Sequence, residues 1–297
     1  MAKSKKKLNL LPKLSVFLIA AVLILCGMAY EYFTNTPADF SDAVFSMHVI
    51  DVGQGDSILI RSGDKTMLID AGESSAKADL ESYLNSQEIT KLDYVVCTHP
   101  HSDHIGGMEN VLRKYDYDNI IMPKVSHTSK TFISLLECID GQNKEITEAK
   151  SGAEFTLGEA KVKILAPNSS DYDELNDWSV VLKITVKGKS FILTGDAEKL
   201  SEEEILNIYA KELNCDVYKV GHHGSKSSSS NLFVAAMTPK YSAISVAAKN
   251  SYKHPSDEVV KRLEMAGSEV LTTADCGDIV FFVTADGALG VKTEKTK

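Results

Sequence analysis

The segment "CTHPHSDHIGG", Cys97–Gly107, concentrates the residue types that bind transition metals. It places His99, His101, Asp103 and His104 within six positions of a chain that has 8 histidines in 297 residues. Imidazole and carboxylate groups are ligands of Zn²⁺, and they also suit Mn²⁺ and iron. A single histidine in such a loop is most simply explained as structural or exposed, but this combination predicts a metal centre.

The position of this segment after a strand suggests how its side chains are divided. The preceding "LDYVVCT" is typical of a short buried strand, so residues 99–103 are expected to form a loop and His104 to begin a helix through "GGMENVL". Side chains at alternate positions of extended backbone share a side, so we expect His99, His101 and Asp103 to point together. His104 would then serve a second ion about 3.5–4 Å away.

Two other strand ends carry candidates for the remaining ligands. "FILTGDAE" ends in Gly195-Asp196, and "VYKVGHHGS" ends in His222-His223 after Gly221. Glycine permits a sharp exit from a strand and a close approach of the backbone. We therefore predict that Asp196 and one histidine of the pair lie at the same sheet edge as the first segment.

The rest of the chain alternates short β-rich runs with helical runs. Strands are predicted in "FSMHVIDVG", "DSILIRSG" and "KTMLIDAG", a helix follows in "AKADLESYLNSQEI", and the second half has a similar rhythm. The chain contains no repeat of 20–50 residues. We expect an α/β (α+β) fold in which two sheets carry helices on their outer faces.

The N-terminus predicts a membrane anchor. Residues 1–13 hold 5 lysines and no acidic residue, and the run Leu14–Ala29 is uncharged. We expect a cytoplasmic basic tail (1–13), one transmembrane signal anchor (14–33), a linker (34–44) and an extracytoplasmic domain (45–297) in a single-pass protein of the cell membrane. Cleavage of a signal peptide near "CGMA", which would give a secreted protein, is the alternative.

The charge of the body constrains its substrates. The chain carries a net charge of −9, and its first thirteen residues contribute +5, so residues 14–297 carry −14. An acidic body has little sequence-independent affinity for nucleic acid, because that affinity depends on neutralising phosphates with lysine and arginine. A phosphate-bearing substrate therefore has to be held by a local feature, and the sequence identifies no partner protein.

The motif H-x-H-x-D-H at residues 99–104 resembles the signature of the metallo-β-lactamase superfamily. The ordered segments "HVIDVGQGDSILI", "MLIDAG", "THPHSDHIGG", "LTGDAE", "VGHHGS" and "KNSYKHPS" further resemble the hydrolase domain of ComEC-type competence proteins over roughly residues 45–290. This resemblance implies a four-layer αββα sandwich of the metallo-β-lactamase type. It also implies two divalent ions along the sheet edges, Zn²⁺ or alternatively Mn²⁺.

The resemblance assigns ligands to each ion. The first ion would be bound by His99 and His101, and the second by Asp103 and His104. Asp196 would bridge the two ions. Asp103 would also be catalytic, because its carboxylate is expected to orient the attacking water or accept its proton.

The remaining ligands are less well defined by the resemblance. The histidine that completes the second site is His222 or His223, and His222 is favoured because it comes first after the strand, which leaves His223 as a substrate-binding candidate. The superfamily usually supplies a further histidine to the first ion about twenty residues before the bridging aspartate, where this chain has Asn176. The departure implies a weaker first site, a single tight ion or a less common metal, and Asn176 is a candidate for contacting substrate.

Other polar residues have both a functional and a structural interpretation. Asp70 would orient a ligand imidazole or cap a turn, and Asp56 would line the pocket or stabilise a turn. His48 and His127 are expected to be structural or exposed. The further candidates for contacting substrate, for which a solvated loop is the alternative explanation, are Ser225, Lys226 and His254, with Lys219, Ser227 and Ser228 beside them.

Two ions held at strand ends predict a hydrolase. The resemblance favours a membrane-anchored phosphodiesterase or nuclease, whose substrate would be single-stranded DNA or a wall-associated polymer. One alternative is an acyl or phosphorylcholine-type esterase, such as a lactonase, a thioesterase or a wall-polymer esterase. The other is a surface-binding module without catalytic activity.

Overall fold

The computed structural model describes residues 42–295, whose strands form two sheets. The first sheet has eight strands, which pair mainly with sequence neighbours. In spatial order they are β15 (Leu289–Thr293), β14 (Ile279–Thr284), β1 (Ala43–Val49), β2 (Ile58–Ser62), β3 (Lys65–Ile69), β4 (Lys91–Val96), β5 (Asp116–Met122) and β6 (Ile146–Glu148).

The second sheet has seven strands and is built from the second half of the chain. In spatial order they are β13 (Glu269–Thr272), β12 (Tyr241–Ile244), β11 (Val217–Lys219), β10 (Lys189–Leu193), β9 (Val181–Val186), β8 (Ala160–Ala166) and β7 (Glu154–Leu157). Strands β10 to β13 run parallel, as β3 to β6 do in the first sheet. Each sheet therefore has a row of carboxyl-terminal strand ends from which loops emerge.

Helices connect the parallel strands and cover the sheets. In residues 42–295 the α-helices are α1 (Lys77–Ser86), α2 (Ser102–Ile105), α3 (Met108–Lys114), α4 (Lys130–Gly141), α5 (Lys199–Tyr209), α6 (Asn231–Met237), α7 (Asp257–Met265) and α8 (Thr273–Cys276). Short 3₁₀ turns occupy Ser74–Ala76, Leu175–Trp178, Ala210–Glu212 and Gly221–Gly224.

Alternation of apolar side chains along the strands produces the layers. In β1, Phe45 and Met47 point into a core between the two sheets, where the ring of Phe45 lies 4.8 Å from that of Phe191 on β10. Leu59 of β2 points the other way, into a second core that includes Leu80 of α1. A third core packs α5, α6 and α7 on the outer face of the second sheet. Burial of these apolar faces is the main force that holds sheets and helices together.

The predicted mixed α/β fold with two sheets is confirmed, with local differences. The helix expected to begin at His104 is two helices, because α2 already begins at Ser102 and ends before α3. Strand β1 begins at Ala43, so the last two residues of the predicted linker belong to the strand, and Ala43 pairs with Thr284 of β14. Helices α4, α6 and α8 were not predicted from the sequence.

The predicted signal anchor and most of the linker lie outside the described residues. Among residues 42–295, no helix is long and apolar enough to cross a membrane.

Candidate metal centre

The segment that follows β4 supplies four of the predicted ligands, but not in the expected alternation. His101 has extended backbone angles and caps the N-terminus of α2, which contains Asp103 and His104. Because the chain turns into a helix after His101, Asp103 does not share a side with His99. Its Oδ2 instead lies 3.9 Å from Nε2 of His104.

The loop before β2 packs directly against this segment. The amide of Asp56 donates to the carbonyl oxygen of Asp103 at 3.1 Å. A Cβ added to Gly55, whose φ is +136°, would lie 2.2 Å from the same oxygen. Glycine is therefore required at position 55 for the backbone to come this close.

Four side chains from both sheets form a tight group that is suited to one ion. The group comprises Asp103, His104, Asp196 and His223, and its candidate ligand atoms all lie within 4.8 Å of one another. Nε2 of His104 is 3.2 Å from Oδ1 of Asp196, and Nε2 of His223 is 3.2 Å from Oδ2 of Asp103. The fold thus brings the end of β4 to the ends of β10 and β11.

The histidine in this group is His223, whereas the sequence led us to expect His222. Both residues have left-handed backbone angles, with φ values of 49° and 53°. This turn aims the His223 ring at Asp103, while its Nδ1 lies 3.0 Å from the carbonyl oxygen of Ser245. The turn directs the two adjacent side chains to different neighbours, His223 to Asp103 and His222 to Glu198.

A second group of nitrogen atoms surrounds the other oxygen of Asp196. Nε2 of His99 lies 3.9 Å from Asp196 Oδ2 and 3.0 Å from Nδ1 of His101. Nε2 of His222 and Nε2 of His223 each lie 3.8 Å from the same carboxylate oxygen, and Nε2 of His223 also lies 3.2 Å from Oδ2 of Asp103 in the first group. His222 therefore belongs beside the two histidines that were predicted for the first ion.

Asn176 stands next to this second group. Its Nδ2 lies 3.4 Å from Nδ1 of His222 and donates to Oε1 of Glu198 at 3.1 Å. Nδ1 of His222 is also 3.1 Å from Glu198 Oε1. Asn176 and Glu198 thus hold the His222 ring. Glu198 was not predicted, and its signal in the sequence was only its position two residues after Asp196.

Asp70 contacts a ligand imidazole, which was one of the two roles predicted for it. Its Oδ2 lies 2.7 Å from Nδ1 of His104, and it also accepts hydrogen bonds from the amide and hydroxyl of Thr98. A proton held at Nδ1 leaves Nε2 of His104 facing Asp196. Asp56 lies behind the centre, where Oδ2 accepts from the buried ammonium of Lys219 at 2.9 Å.

Electrostatics at the centre favour a positive charge between the carboxylates. Burial works against the charged forms, but His104 and His223 hold the pKa of Asp196 well below its usual range. Burial likewise opposes ionisation of Asp103, whose pKa is nevertheless lowered by its hydrogen bond with His223 and by His104. Burial lowers the pKa of His104, but the negative charges of Asp196 and Asp70 outweigh this effect and raise that pKa well above its usual value.

The residues present fit a divalent ion. Nε2 of His104 and Oδ1 of Asp196 lie 3.2 Å apart, and both are buried without a hydrogen-bond partner of good geometry within residues 42–295. Buried polar atoms are normally satisfied, so unpaired atoms that converge on one place indicate a missing partner. Imidazole nitrogen and carboxylate oxygen atoms at such a place are a donor set for Zn²⁺, Mn²⁺ or iron.

The centre opens into a cavity of about 390 Å³. His254, a predicted candidate for contacting substrate, lines this cavity, as do four residues that were not predicted: Gln54, Glu73, Ser102 and Tyr252. Ser225 is turned away and bonds to Ser227, and Lys226 is exposed outside the cavity. The residues that line the cavity are Gln54, Glu73, His101, Ser102, Asp103, Asp196, His222, His223, Tyr252 and His254.

The other histidines lie away from this cavity. His48 is buried between Ser46 and Tyr83, with distances of 2.8 and 2.7 Å to their hydroxyl oxygens. His127 lies 3.0 Å from the Ser129 hydroxyl and is half-buried.

Ser228, by contrast, lies close to the centre. Its hydroxyl donates to the carbonyl oxygen of Ala197 and contributes to the turn there.

Comparison with known proteins assigns the family. Residues 50–248 match the family model of the metallo-beta-lactamase superfamily. The chain belongs to this superfamily. The match covers the loops after β4, β10 and β11, so it includes every ligand candidate described above.

The predicted resemblance to ComEC-type competence proteins is confirmed. ComE operon protein 3 of Bacillus subtilis (strain 168) is 31% identical over 251 residues, which are 78% of this chain and 32% of that protein. Competence protein ComA of Neisseria gonorrhoeae is 29% identical over 280 residues, which are 93% of this chain and 37% of that protein. The chain therefore spans about a third of the length of these relatives.

Solved structures support the fold alone. CmlA, a diiron β-hydroxylase from Streptomyces venezuelae, has a TM-score of 0.53 at 14% identity, covering 77% of this chain and 52% of that chain. Since a β-hydroxylase shares the metallo-β-lactamase fold, the fold does not determine the reaction. The reaction has to be argued from the side chains at the centre.

Proposed function

We propose that this chain is a membrane-anchored, extracytoplasmic phosphodiesterase or nuclease that works with two divalent ions. The observation that carries the proposal is the pair of ligand groups that share the carboxylate of Asp196, each with members that line one cavity. Dinuclear centres of this type are typical of hydrolases. Similarity to competence proteins over most of the chain supports phosphodiester substrates.

The two groups divide the candidate ligands between the ions. His99, His101 and His222 would hold the first ion, and Asp196 would lie between the ions. The second would be held by Asp103, His104 and His223. His222 thereby supplies the imidazole that the sequence lacks at Asn176, so a full first site does not require a histidine there.

The protein side chains have separate tasks in the proposed reaction. When bound, divalent ions supply Lewis acidity and a water that is nucleophilic near neutral pH. Asp103, about a quarter exposed at the cavity, is placed to orient that water or accept its proton. Asp70 keeps the proton of His104 on Nδ1. Zn²⁺ is the proposed metal and Mn²⁺ the alternative.

Hydrolysis of a substrate panel tests the proposal. The purified full-length chain, loaded with Zn²⁺ or Mn²⁺, is assayed on bis-p-nitrophenyl phosphate, single-stranded DNA, a phosphorylcholine ester, a lactone and a thioester. We expect cleavage of the first two, with losses of about 100-fold or more in His101→Ala and Asp196→Ala. His127→Ala, a histidine outside the cavity, is the matched control and should keep full activity.

A chain that binds metal and cleaves only the acyl substrates would replace the proposal with an acyl hydrolase. Failure on the whole panel by a metal-loaded chain would favour a binding module instead. The anchor is tested separately by fractionating cells that express the full-length chain. Recovery in the membrane fraction, with the domain digested by protease added from outside, supports the proposed topology, and recovery in the medium contradicts it.

A further inference from the structure

The loop Ala247–Ser256, here named the rim loop, places an exposed aromatic ring at the mouth of the cavity. Tyr252 is 66% exposed and lines the cavity together with His254. The two rings are stacked, with centroids 5.7 Å apart and planes 25° from parallel. The ring of His254 in turn lies 5.5 Å from that of His222. The rings of Tyr252, His254 and His222 thus form a continuous row from the solvent-exposed mouth of the cavity to the metal centre.

The rim loop is held in place by polar contacts. Asn250 donates to the carbonyl oxygens of Ala247 and His254 at 3.0 and 2.8 Å, and it accepts from the His254 amide at 2.9 Å. The amide of Ser256 donates to the carbonyl oxygen of Gly224 at 2.9 Å. Tyr252 is thus exposed on a braced loop, so its ring is positioned before a ligand arrives and little ordering is needed on binding.

The rim loop is also locally basic. Residues 241–256 contain two lysines, Lys249 and Lys253, and no acidic residue, although residues 14–297 carry −14 in total. Both lysines are exposed and flank Tyr252 in the sequence. This is a local feature of the kind that an acidic protein requires for holding a phosphate-bearing substrate.

We infer that Tyr252, stacked on His254, is a subsite for an unpaired nucleobase of a single-stranded nucleic acid, with Lys249 and Lys253 beside its backbone. The inference rests on the proposed phosphodiesterase function. Aromatic side chains next to basic ones are the usual means of binding single strands, because every base has a face that stacks. In a duplex that face is covered by neighbouring base pairs, so the subsite selects single strands.

A sugar ring is the other flat partner that an exposed tyrosine accepts, as in a wall polymer. The observations favour a base, because the rim loop combines two stacked rings with two lysines and offers no carboxylate for sugar hydroxyls. Of the three carboxylates on the cavity wall, Asp103 and Asp196 belong to the metal centre, and Oε1 of Glu73 accepts from the Ser102 hydroxyl at 3.0 Å.

Steady-state kinetics on matched substrates test the subsite. The metal-loaded full-length chain and its Tyr252→Ala and Tyr252→Phe variants are compared on a single-stranded oligonucleotide and on an abasic phosphodiester oligomer of equal length. We expect Tyr252→Ala to raise KM for the oligonucleotide about 10-fold or more, with kcat little changed. KM for the abasic oligomer should stay the same, and Tyr252→Phe should behave like the unmodified chain.

Binding supplies a readout that does not depend on turnover. A single strand that contains 2-aminopurine, whose fluorescence falls on stacking, is titrated with the metal-free chain. Quenching should persist in Tyr252→Phe and be lost in Tyr252→Ala. Leu232→Ala, which removes a side chain that is 73% exposed outside the cavity, is the matched control and should leave quenching unchanged.

The outcomes separate the subsite from the proposed activity. If the unmodified chain cleaves both oligomers and Tyr252→Ala changes neither KM nor quenching, the subsite is refuted and the phosphodiesterase stands. If Tyr252→Ala weakens binding of a wall polymer and not of the oligonucleotide, the subsite binds sugar and the inference is wrong. If the unmodified chain cleaves no phosphodiester, the proposed function itself fails.

Discussion

His222 and His223 are adjacent in the chain but contact different side chains. His223 lies 3.2 Å from Asp103, whereas His222 lies 3.1 Å from Glu198 and close to Asn176. Two consecutive left-handed residues produce this divergence, and histidine is among the residue types that occupy this region more readily than most. We therefore propose that each histidine serves a different ion.

Metal content of variants tests this assignment. With Zn²⁺ in excess and then removed by gel filtration, His222→Ala and His223→Ala should each retain about one ion per chain instead of two. The double variant His101→Ala/His222→Ala should still retain about one ion, because both residues serve the same site. His222→Ala/His223→Ala should retain none. Equal loss in the two double variants would contradict the assignment.

His48 illustrates a buried histidine without a role at the centre. Burial, assisted by the charge of Arg61, lowers its pKa from 6.5 to about 4. His48 is therefore protonated near pH 6.5 in the unfolded chain but only near pH 4 in the folded chain. Stability contributed by neutral His48 is present at neutral pH and is lost as the pH falls through this window.

Urea unfolding of the metal-free chain at pH 7 and pH 4.5 measures this contribution. Replacement by a residue that does not titrate, His48→Gln, should reduce the acid-induced loss of unfolding free energy by about 2–3 kcal/mol. His127→Gln controls for loss of a histidine outside the core. An unchanged pH dependence in His48→Gln would show that His48 is protonated as easily in the folded chain as in the unfolded one.

At the scale of elements, one ion pair joins strand β11 to the loop before β2. Lys219 is fully buried at the end of β11, and its ammonium donates to Asp56 at 2.9 Å and to the carbonyl oxygen of Val220 at 3.0 Å. Asp56 also holds the backbone of Asp103 through its amide. The pair thus connects the two sheets directly behind the metal centre.

A double-mutant cycle tests this connection. Lys219→Met alone should cost about 3–5 kcal/mol of unfolding free energy, since it leaves the buried Asp56 carboxylate without a partner. The apolar double variant Lys219→Met/Asp56→Leu should recover most of this loss. Lys91→Met, which breaks the exposed pair with Asp118, is the matched control and should have little effect. A double variant as unstable as the single one would mean that shape, not charge, matters here.

At the scale of the whole molecule, the candidate ligands come from both sheets. His99 to His104 follow β4 of the first sheet, while Asp196, His222 and His223 follow β10 and β11 of the second. Ions at the centre would therefore link the two sheets and bind only the folded chain. Ligands that bind only the native state raise its stability by mass action.

Thermal unfolding with and without a chelator tests this link. At Zn²⁺ about 100 times its dissociation constant, the bound ion should add about 2.7 kcal/mol and raise Tm by about 5–10 °C relative to the chelated chain. Asp196→Ala, which removes the carboxylate shared by both groups, should show almost no response to the chelator. A Tm that is unaffected by the chelator in the unmodified chain would argue against ions held between the sheets.

Much of the architecture is readable from local patterns. The predicted strand in "LDYVVCT" is β4, and the helix predicted in "AKADLESYLNSQEI" is α1, because apolar periodicity reports which face is buried. Helix α4 had a similar signal that the prediction missed. Its buried Phe132, Leu135 and Ile139 recur at helical spacing after the N-cap Ser129, which accepts from the Phe132 amide.

The residue types of the centre were determined by the sequence, and their grouping by the tertiary structure. The concentration of histidine and aspartate at strand ends was enough to predict a metal centre next to Asp196, and the motif was enough to predict the family. Which histidine faces Asp103 and which faces Glu198 depends on α2 and on the left-handed turn at His222 and His223. Those conformations are held by contacts between residues far apart in the chain, such as His223 with Ser245 and the His222 amide with Gly195. Spacing alone carries no information about such contacts, because they exist only once the two sheets have packed together.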